Sequence, residues 1–249
     1  MRQKLIIAIL LIFTISSCDI LMQVASDAMQ VENSLTTEQV ASGLKQALEV
    51  GAKEAVKQLN TKDGYYLNSA LKIVLPTETQ EILENAKRIP GVDQLLERLV
   101  LQLNRSAEDA AKMAQPILVN AITGMSISDA WGILRGEQDA ATQYLHRSTF
   151  SELTNLYAPV IKTSLDKPLV AGISATQSWT EITGKWNEFA KSIAGVILGA
   201  KPLNYSLEEY VTVQALNGLF NQIEIKEKTI RTDISARTTD LLKRVFGQQ

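Results

Sequence analysis

A chain of 249 residues carries 27 acidic and 25 basic side chains, one histidine and one cysteine, at a formal charge of −2. One histidine and one cysteine cannot build the His/Cys sets that hold zinc or copper, and a mildly acidic balance without a Lys/Arg cluster argues against nucleic-acid binding. A single cysteine also excludes an intramolecular disulfide, so the core alone must hold the fold.

The chain opens with Arg2 and Lys4, an uncharged apolar run from Leu5 to Ile15, then Ser16, Ser17 and the lone Cys18. A positive end, a short apolar stretch and small residues are the layout of a secretory signal. The run is too short to span a bilayer, which takes roughly 20 residues. Ile15-Ser16-Ser17-Cys18 resembles the bacterial lipobox, in which the thiol is diacylated and the leader is cut just before it. Two or three acyl chains anchor a protein stably where one is marginal. Residues 1–17 are therefore expected to be a lipoprotein signal peptide, and 18–35 a lipid-anchored tether. Loss of Arg2 and Lys4 would take the formal charge from −2 to −4. Asp19 bears on retention in the inner membrane, but that rule differs between phyla and leaves inner versus outer open.

Residues 36–249 read as one helical domain. Thr36 with Gln39 forms a capping box, and Val40, Leu44, Leu48, Val56 and Leu59 follow at helical spacing. Asn60 to Gly64 breaks that helix. Tyr65 to Leu75 allows one short extended piece, which would lack a strand partner. Thr77 with Gln80 repeats the capping signature, and Pro90-Gly91 closes that segment. From Val92 to about Ala114, Leu95, Leu96, Leu99, Val100, Leu101 and Leu103 cover most of the circumference, as expected of a helix at the centre of a bundle. Ser126 caps a short helix ending near Gly136. Glu137 to Arg147 and Ser148 to Leu165 read as two further helices, with Pro159 kinking or breaking the second. Trp179 and Trp186, seven apart, share a helical face and read as core in preference to a ligand-stacking pair. Ile193 to Ala200 is apolar, far too short to span, and reads as a core segment or tight turn in preference to a second membrane contact. Ser206 with Glu209 opens a helix to about Arg231, and a last helix runs from about Ala236 to Phe246 with Gly247 as C-cap. The expected fold is all-α: an irregular multi-helix bundle around a central apolar helix, with at most one short β segment.

Few residues are placed for chemistry. His146 is the single candidate base, next to Ser148 and Thr149, but no G-x-S-x-G elbow surrounds either hydroxyl. Glu108 with Asp109, and Glu137 with Asp139, are the paired carboxylates that could cleave a glycosidic bond; neighbouring acids on a helix point apart. A hard-metal site built of carboxylates stays open, but no calcium loop and no Gly-rich phosphate loop is present, and neither a cofactor nor a metal is expected. The most telling polar set is a stripe of Glu97, Asn104 and Glu108 within the apolar helix. Buried polar groups need partners, and Arg231 and Arg237 are candidates. Asn104, Glu108, Arg231 and Arg237 thus form a candidate polar network or ligand site, with Asn104 and Glu108 facing inward to meet one of the arginines.

DGYYLN, NRSAEDAA, the run from Ser126 to Gly136 ending DAWGILRG, and IRTDISARTTDLLKRVFG together resemble a bacterial lipoprotein family catalogued as domain of unknown function 4197. The resemblance runs from about Thr36 to Gly247. It implies a largely helical envelope protein of Gram-negative bacteria and brings no activity or catalytic residues. One departure is Ile234, where the pattern has proline.

The reading that follows is a lipid-anchored periplasmic module that binds or scaffolds, held to the membrane through Cys18. Its partner would be an envelope protein or an apolar ligand, not nucleic acid. A carboxylate-dependent cell-wall glycan hydrolase or lyase, or a carrier of an apolar small molecule, stand as alternatives, and the residues favour a binding module over an enzyme. Convergent carboxylates in a deep pocket would mark the hydrolase, and a long apolar cavity the carrier.

Overall fold

The computed structural model describes residues 35–79, 92–170, 172–237 and 239–246. The leader, Cys18 and the tether as far as Ser34 lie outside them, as do Gln80, Pro90-Gly91 and the C-cap Gly247. Nine α-helices are present among the described residues: α1 (Thr37–Leu59), α2 (Val92–Ala111), α3 (Ala114–Gly124), α4 (Ile127–Arg135), α5 (Ala140–Leu165), α6 (Ala175–Lys191), α7 (Ile193–Ile197), α8 (Leu207–Thr232) and α9 (Asp240–Phe246). Strands β1 (Pro168–Val170) and β2 (Ile173–Ser174) form one small antiparallel hairpin, with Gly172 at φ +81° in its turn. The fold is all-α.

The helix starts follow local chemistry. Capping boxes open α1 at Thr36/Gln39, α4 at Ser126/Asp129, α6 at Ser174/Gln177 and α8 at Ser206/Glu209. Each satisfies two backbone donors that a helix start leaves open. Thr77–Thr79 is a 3-10 turn. Residues 137–165 contain one long helix where two were expected. The reason is at Ser148 and Thr149: their hydroxyls donate back to the carbonyls of Tyr144 and Leu145 (both 2.7 Å) and cap nothing. Pro159 sits inside α5 without ending it. The last helix begins at Asp240, because Ile234–Ala236 is a separate 3-10 turn.

The interior is shared among several helices, with α8 enclosed as far round as α2. Gly218, Leu219, Phe220, Gln222 and Ile223 are all buried, so α8 is covered on most sides. It packs against α5, α1 and α2. Thr212, Gly218, Gln222 and Glu227 occupy interior positions of α8, which hides its centrality in the sequence. In α2, Glu97 and Arg98 are exposed and Leu95, Leu96, Val100 and Leu101 are half-buried. The helix α5 contributes a single inward stripe, Leu145, Thr149, Leu153, Tyr157 and Ile161, at a spacing of four. Trp179 and Trp186 are both buried. Every buried apolar side chain among the described residues lies between Val40 and Phe246, so a chain beginning at Asp19 carries all of the described core.

The apolar run from Ile193 forms the short helix α7 and a turn closed by the Ala200 N–H on the Gly195 carbonyl, and its large side chains do not enter the core. Ile193, Val196, Ile197 and Leu198 are 83%, 66%, 77% and 74% exposed. Among the described residues no single helix is long and apolar enough to cross a membrane.

Candidate functional site

The four polar candidates do not meet. The structure divides them between two networks, one at the start of the domain and one at its end.

The first network fastens the stretch 63–75 to α2. Asn104 is fully buried. Its amide accepts from the Ile73 N–H (2.8 Å) and donates to the Ile73 carbonyl (2.8 Å), and also to the Val100 carbonyl (2.7 Å). The exchange with Ile73 is what a neighbouring strand would supply. Residues 71–75 alternate as a strand does: Leu71, Ile73 and Leu75 point inward, Lys72 and Val74 outward. The stretch thus alternates in burial without being a strand, and at Ile73 a side chain takes the place of a strand partner.

One turn on, buried Glu108 accepts from the N–H groups of Tyr65 (3.2 Å) and Tyr66 (3.3 Å) through one oxygen, and from Arg105 through the other (2.5 Å). Arg105 also meets Asp63 (2.7 Å), which takes φ 71° in the turn, a conformation that short polar side chains tolerate. Tyr65 is buried against Gly218 of α8, where a Cβ would stand 2.7 Å from the ring. Burial pushes its phenol well above the usual value, and the nearby Tyr157 and Glu108 add to this. The neutral hydroxyl donates to the Ala215 carbonyl (2.7 Å).

The second network joins α4, α5 and α8. Asp139 stands at the N-cap of α5 but makes no capping bond; its side chain takes the Gln143 amide instead. Glu227, from α8, does the capping. It accepts from the Ala141 N–H (3.0 Å), the Thr142 N–H (2.8 Å) and the Thr142 hydroxyl (2.8 Å). Arg231, one turn along, binds Glu227 (2.9 Å) and donates to the carbonyls of Ile133 (2.8 Å) and Leu134 (3.4 Å) at the end of α4. One buried ion pair thus satisfies the open acceptors of one helix and the open donors of the next. Arg237 donates to the carbonyls of Ile230 (3.2 Å) and Arg231 (3.0 Å), so it closes the C-terminus of α8, and it lies over the Phe246 ring.

The expected pairing of Asn104 and Glu108 with Arg231 or Arg237 is therefore replaced on both sides. Asn104 and Glu108 do face inward, but backbone groups of 65–73 and the local Arg105 serve them. Glu227, which sequence reasoning missed, is the buried partner of Arg231. Its i, i+4 spacing was visible; its burial was not.

Asp233 accepts from the Ser235 N–H (2.8 Å) and hydroxyl (2.7 Å), which hold its carboxyl below the usual range, the hydroxyl first and the backbone second. This cap is intact at neutral pH and lost only as pH falls through that lowered value. Ile234 follows at the first position of the 3-10 turn, 67% exposed. Asp233 before it is extended, at φ −111° and ψ 114°, as a residue preceding proline requires. Ile234→Pro is thus expected to stabilise the fold by about 0.4–1 kcal/mol by restricting the unfolded chain. Thermal unfolding checks this; a lower midpoint would mean that the Ile234 N–H or side chain is needed.

The carboxylates of Glu108 and Asp109 do not converge. Glu108 turns to Arg105 and the 65–66 backbone, whereas the half-exposed Asp109 faces Ser164 and Lys167 of another element. His146 is exposed on α5, stacked on Phe150 (4.6 Å) and against Phe220 (4.7 Å). Among the described residues no three His, Cys, Asp or Glu side chains gather closely enough to hold a metal.

The first network also shapes an open groove of about 600 Å3, lined by Tyr66, Lys72, Val74, Asp93, Leu96, Glu97 and Val100. Lys72 and Val74 are the outward residues of the segment that Asn104 pins. Lys72 lies 4.3 Å over the Tyr66 ring, and Arg105 stands 5.9 Å from it. The groove offers an apolar floor, one aromatic face and charges of both signs. A second open cavity of about 470 Å3 lies between Asp109, Lys112, Val160 and Lys167. An interior void beside Leu44, Ile230 and Phe246 measures only about 10 Å3.

A family model described as Protein of unknown function (DUF4197) matches residues 34–247. No curated protein and no solved structure matches the chain.

Proposed function

The chain belongs to the DUF4197 family, and from that premise we propose that it is a lipid-anchored protein of the bacterial envelope whose helical domain faces the periplasm and binds a partner at its surface. The anchor is supported by the leader and by Cys18, the single cysteine, directly after Ser16 and Ser17. The binding role is carried by one contrast. The interior carboxylates are saturated by structural bonds, Glu227 by two N–H groups, a hydroxyl and Arg231. The groove at Tyr66 and Lys72, in contrast, is open and offers side chains to a ligand. A hydrolase needs carboxylates free to move a proton, which the saturated Glu108 and Glu227 are not.

Two measurements on one strain test this. Wild type should take up labelled palmitate and fractionate with membranes, and Cys18→Ala should do neither; a labelled variant would sink the anchor. A photo-crosslinking residue at Lys72 should give a discrete adduct in native envelopes, and one at the exposed Lys185 should not. Equal adducts at both, or none, would remove the groove from the proposal.

A further inference from the structure

The turn after α6 is built as a rigid apolar knob. At its base the Trp186 indole N–H donates to the Lys201 carbonyl (2.8 Å), and Asn187 exchanges two hydrogen bonds with the Leu203 backbone (2.7 and 3.0 Å). The chain leaves this clamp at buried Ala190 and returns to it at Lys201. Inside the knob Ser192 caps α7 through the Gly195 N–H (3.1 Å), and the Ala200 N–H closes on the Gly195 carbonyl (2.9 Å). Gly195 is packed so closely that a Cβ would stand 2.1 Å from the Phe189 carbonyl oxygen, and Gly199 takes φ +72°. The turn is held by these contacts, yet its crown is apolar: Ile193, Val196, Ile197 and Leu198 project outward, with Phe189 half-exposed beside them. Isolated exposed apolar residues are ordinary, but a contiguous crown marks a contact surface. From Phe189 to Lys201 the charged residues are Lys191 and Lys201, both exposed cations at the two ends of the crown, with no acid between them.

We infer that this knob inserts into the surface of a phospholipid bilayer carrying anionic headgroups, as a second membrane contact besides Cys18. Apolar side chains on a projecting turn fit the acyl boundary, which needs no matching concave surface. Lysines at the rim fit headgroup phosphates, as on amphipathic segments that lie in an interface. Resting on the anchored reading, which brings the domain to a membrane, the knob would then fix its orientation there. The 17 residue steps from Cys18 to Leu35 reach at most about 60 Å when extended. That exceeds the breadth, about 45 Å, of a domain of this size, so the tether permits the contact wherever it leaves the domain.

The test uses chain 19–249, which has no cysteine and no leader. With vesicles of phosphatidylethanolamine and phosphatidylglycerol at three to one, it should co-float. Ile193→Ser/Ile197→Ser should lower the partition at least about tenfold while leaving the thermal midpoint unchanged, since both side chains are in solvent. Lys191→Glu/Lys201→Glu should lose binding to these vesicles, with little change on phosphatidylcholine alone. Absence of binding by the unsubstituted chain, or equal binding by the isoleucine variant, overturns the inference. So does a wild-type dimer in sedimentation velocity that the isoleucine variant dissolves, since the crown would then be a self-interface. Failure of palmitate labelling in cells is a separate outcome: it removes the anchor and leaves the vesicle result to stand by itself.

Discussion

Glu227→Ala is expected to cost about 3–5 kcal/mol of folding stability, the range for removing one partner of a buried ion pair. The loss has two parts. Arg231, whose side chain is 9% exposed, is left without a counter-charge. The N–H groups of Ala141 and Thr142, at the start of α5, are left without an acceptor, because Asp139 does not cap its own helix. Arg231→Ala should cost less. Glu227 then keeps three donors and the positive end of the α5 dipole, while the carbonyls of Ile133 and Leu134 lose a donor, each a penalty of about 1–3 kcal/mol at most. The order of the two losses is the discriminating result. Urea unfolding of both single variants and the double measures it, and the double should lose less than the sum, since the two groups share one network. A larger loss at Arg231 than at Glu227 would mean that the α4 carbonyls, and not the α5 cap, hold this junction. Additive losses below about 1 kcal/mol would contradict the burial of the pair.

This pair also shows what a single chain of letters conveys. Glu227 and Arg231 stand four apart, so their contact was legible. Their burial was not, because α8 interleaves Thr212, Gly218, Gln222 and Glu227 with its apolar residues and reads as an ordinary surface helix. The capping boxes at Thr36, Ser126 and Ser206 were legible because each is a local exchange over three residues. Ser148 misled for the same reason in reverse: its hydroxyl can bond forward as a cap or back to Tyr144, and only the length of α5 decides. Asn104 and Glu108 lie inside because they share a stripe with the apolar residues that α2 buries, whereas Glu97, on the same stripe but near the helix start, is exposed. Their partners could not be read, because they are backbone N–H and C=O groups of residues 65–73, which every residue type offers alike. For Ile193 to Leu198, apolar composition allows either a core segment or a turn; two glycines, Gly195 and Gly199, and the clamp at Trp186 decide it by turning the side chains outward.

Asn104→Asp is the sharpest test of the first network, because it changes charge and donors while barely changing shape. Asn104 donates to two carbonyls, Ile73 and Val100, and accepts from the Ile73 N–H. An ionised carboxylate keeps the acceptor and sets its second oxygen against two carbonyl oxygens at a fully buried position. That is an uncompensated buried charge, with an expected cost of about 3–5 kcal/mol at neutral pH. Protonation relieves part of it, since a carboxylic O–H can donate to one carbonyl. Burial and the facing carbonyls therefore raise the introduced carboxyl above its unfolded value of about 3.9. The folded variant then binds more protons than the unfolded one across that window, so its stability should rise as pH falls from 7 towards 5. Asn104→Ala loses the same donors without acquiring a charge, so its deficit relative to wild type should stay flat over that range. Urea midpoints of wild type and both variants at pH 7 and pH 5 measure this. A deficit for Asn104→Asp that does not shrink on acidification would mean that water reaches the 104–73 contact. The groove should follow the clamp: with Ile73 loosened, Lys72 and Val74 lose their fixed place beside Tyr66, and the Lys72 crosslink in envelopes should weaken in Asn104→Asp and recover at pH 5.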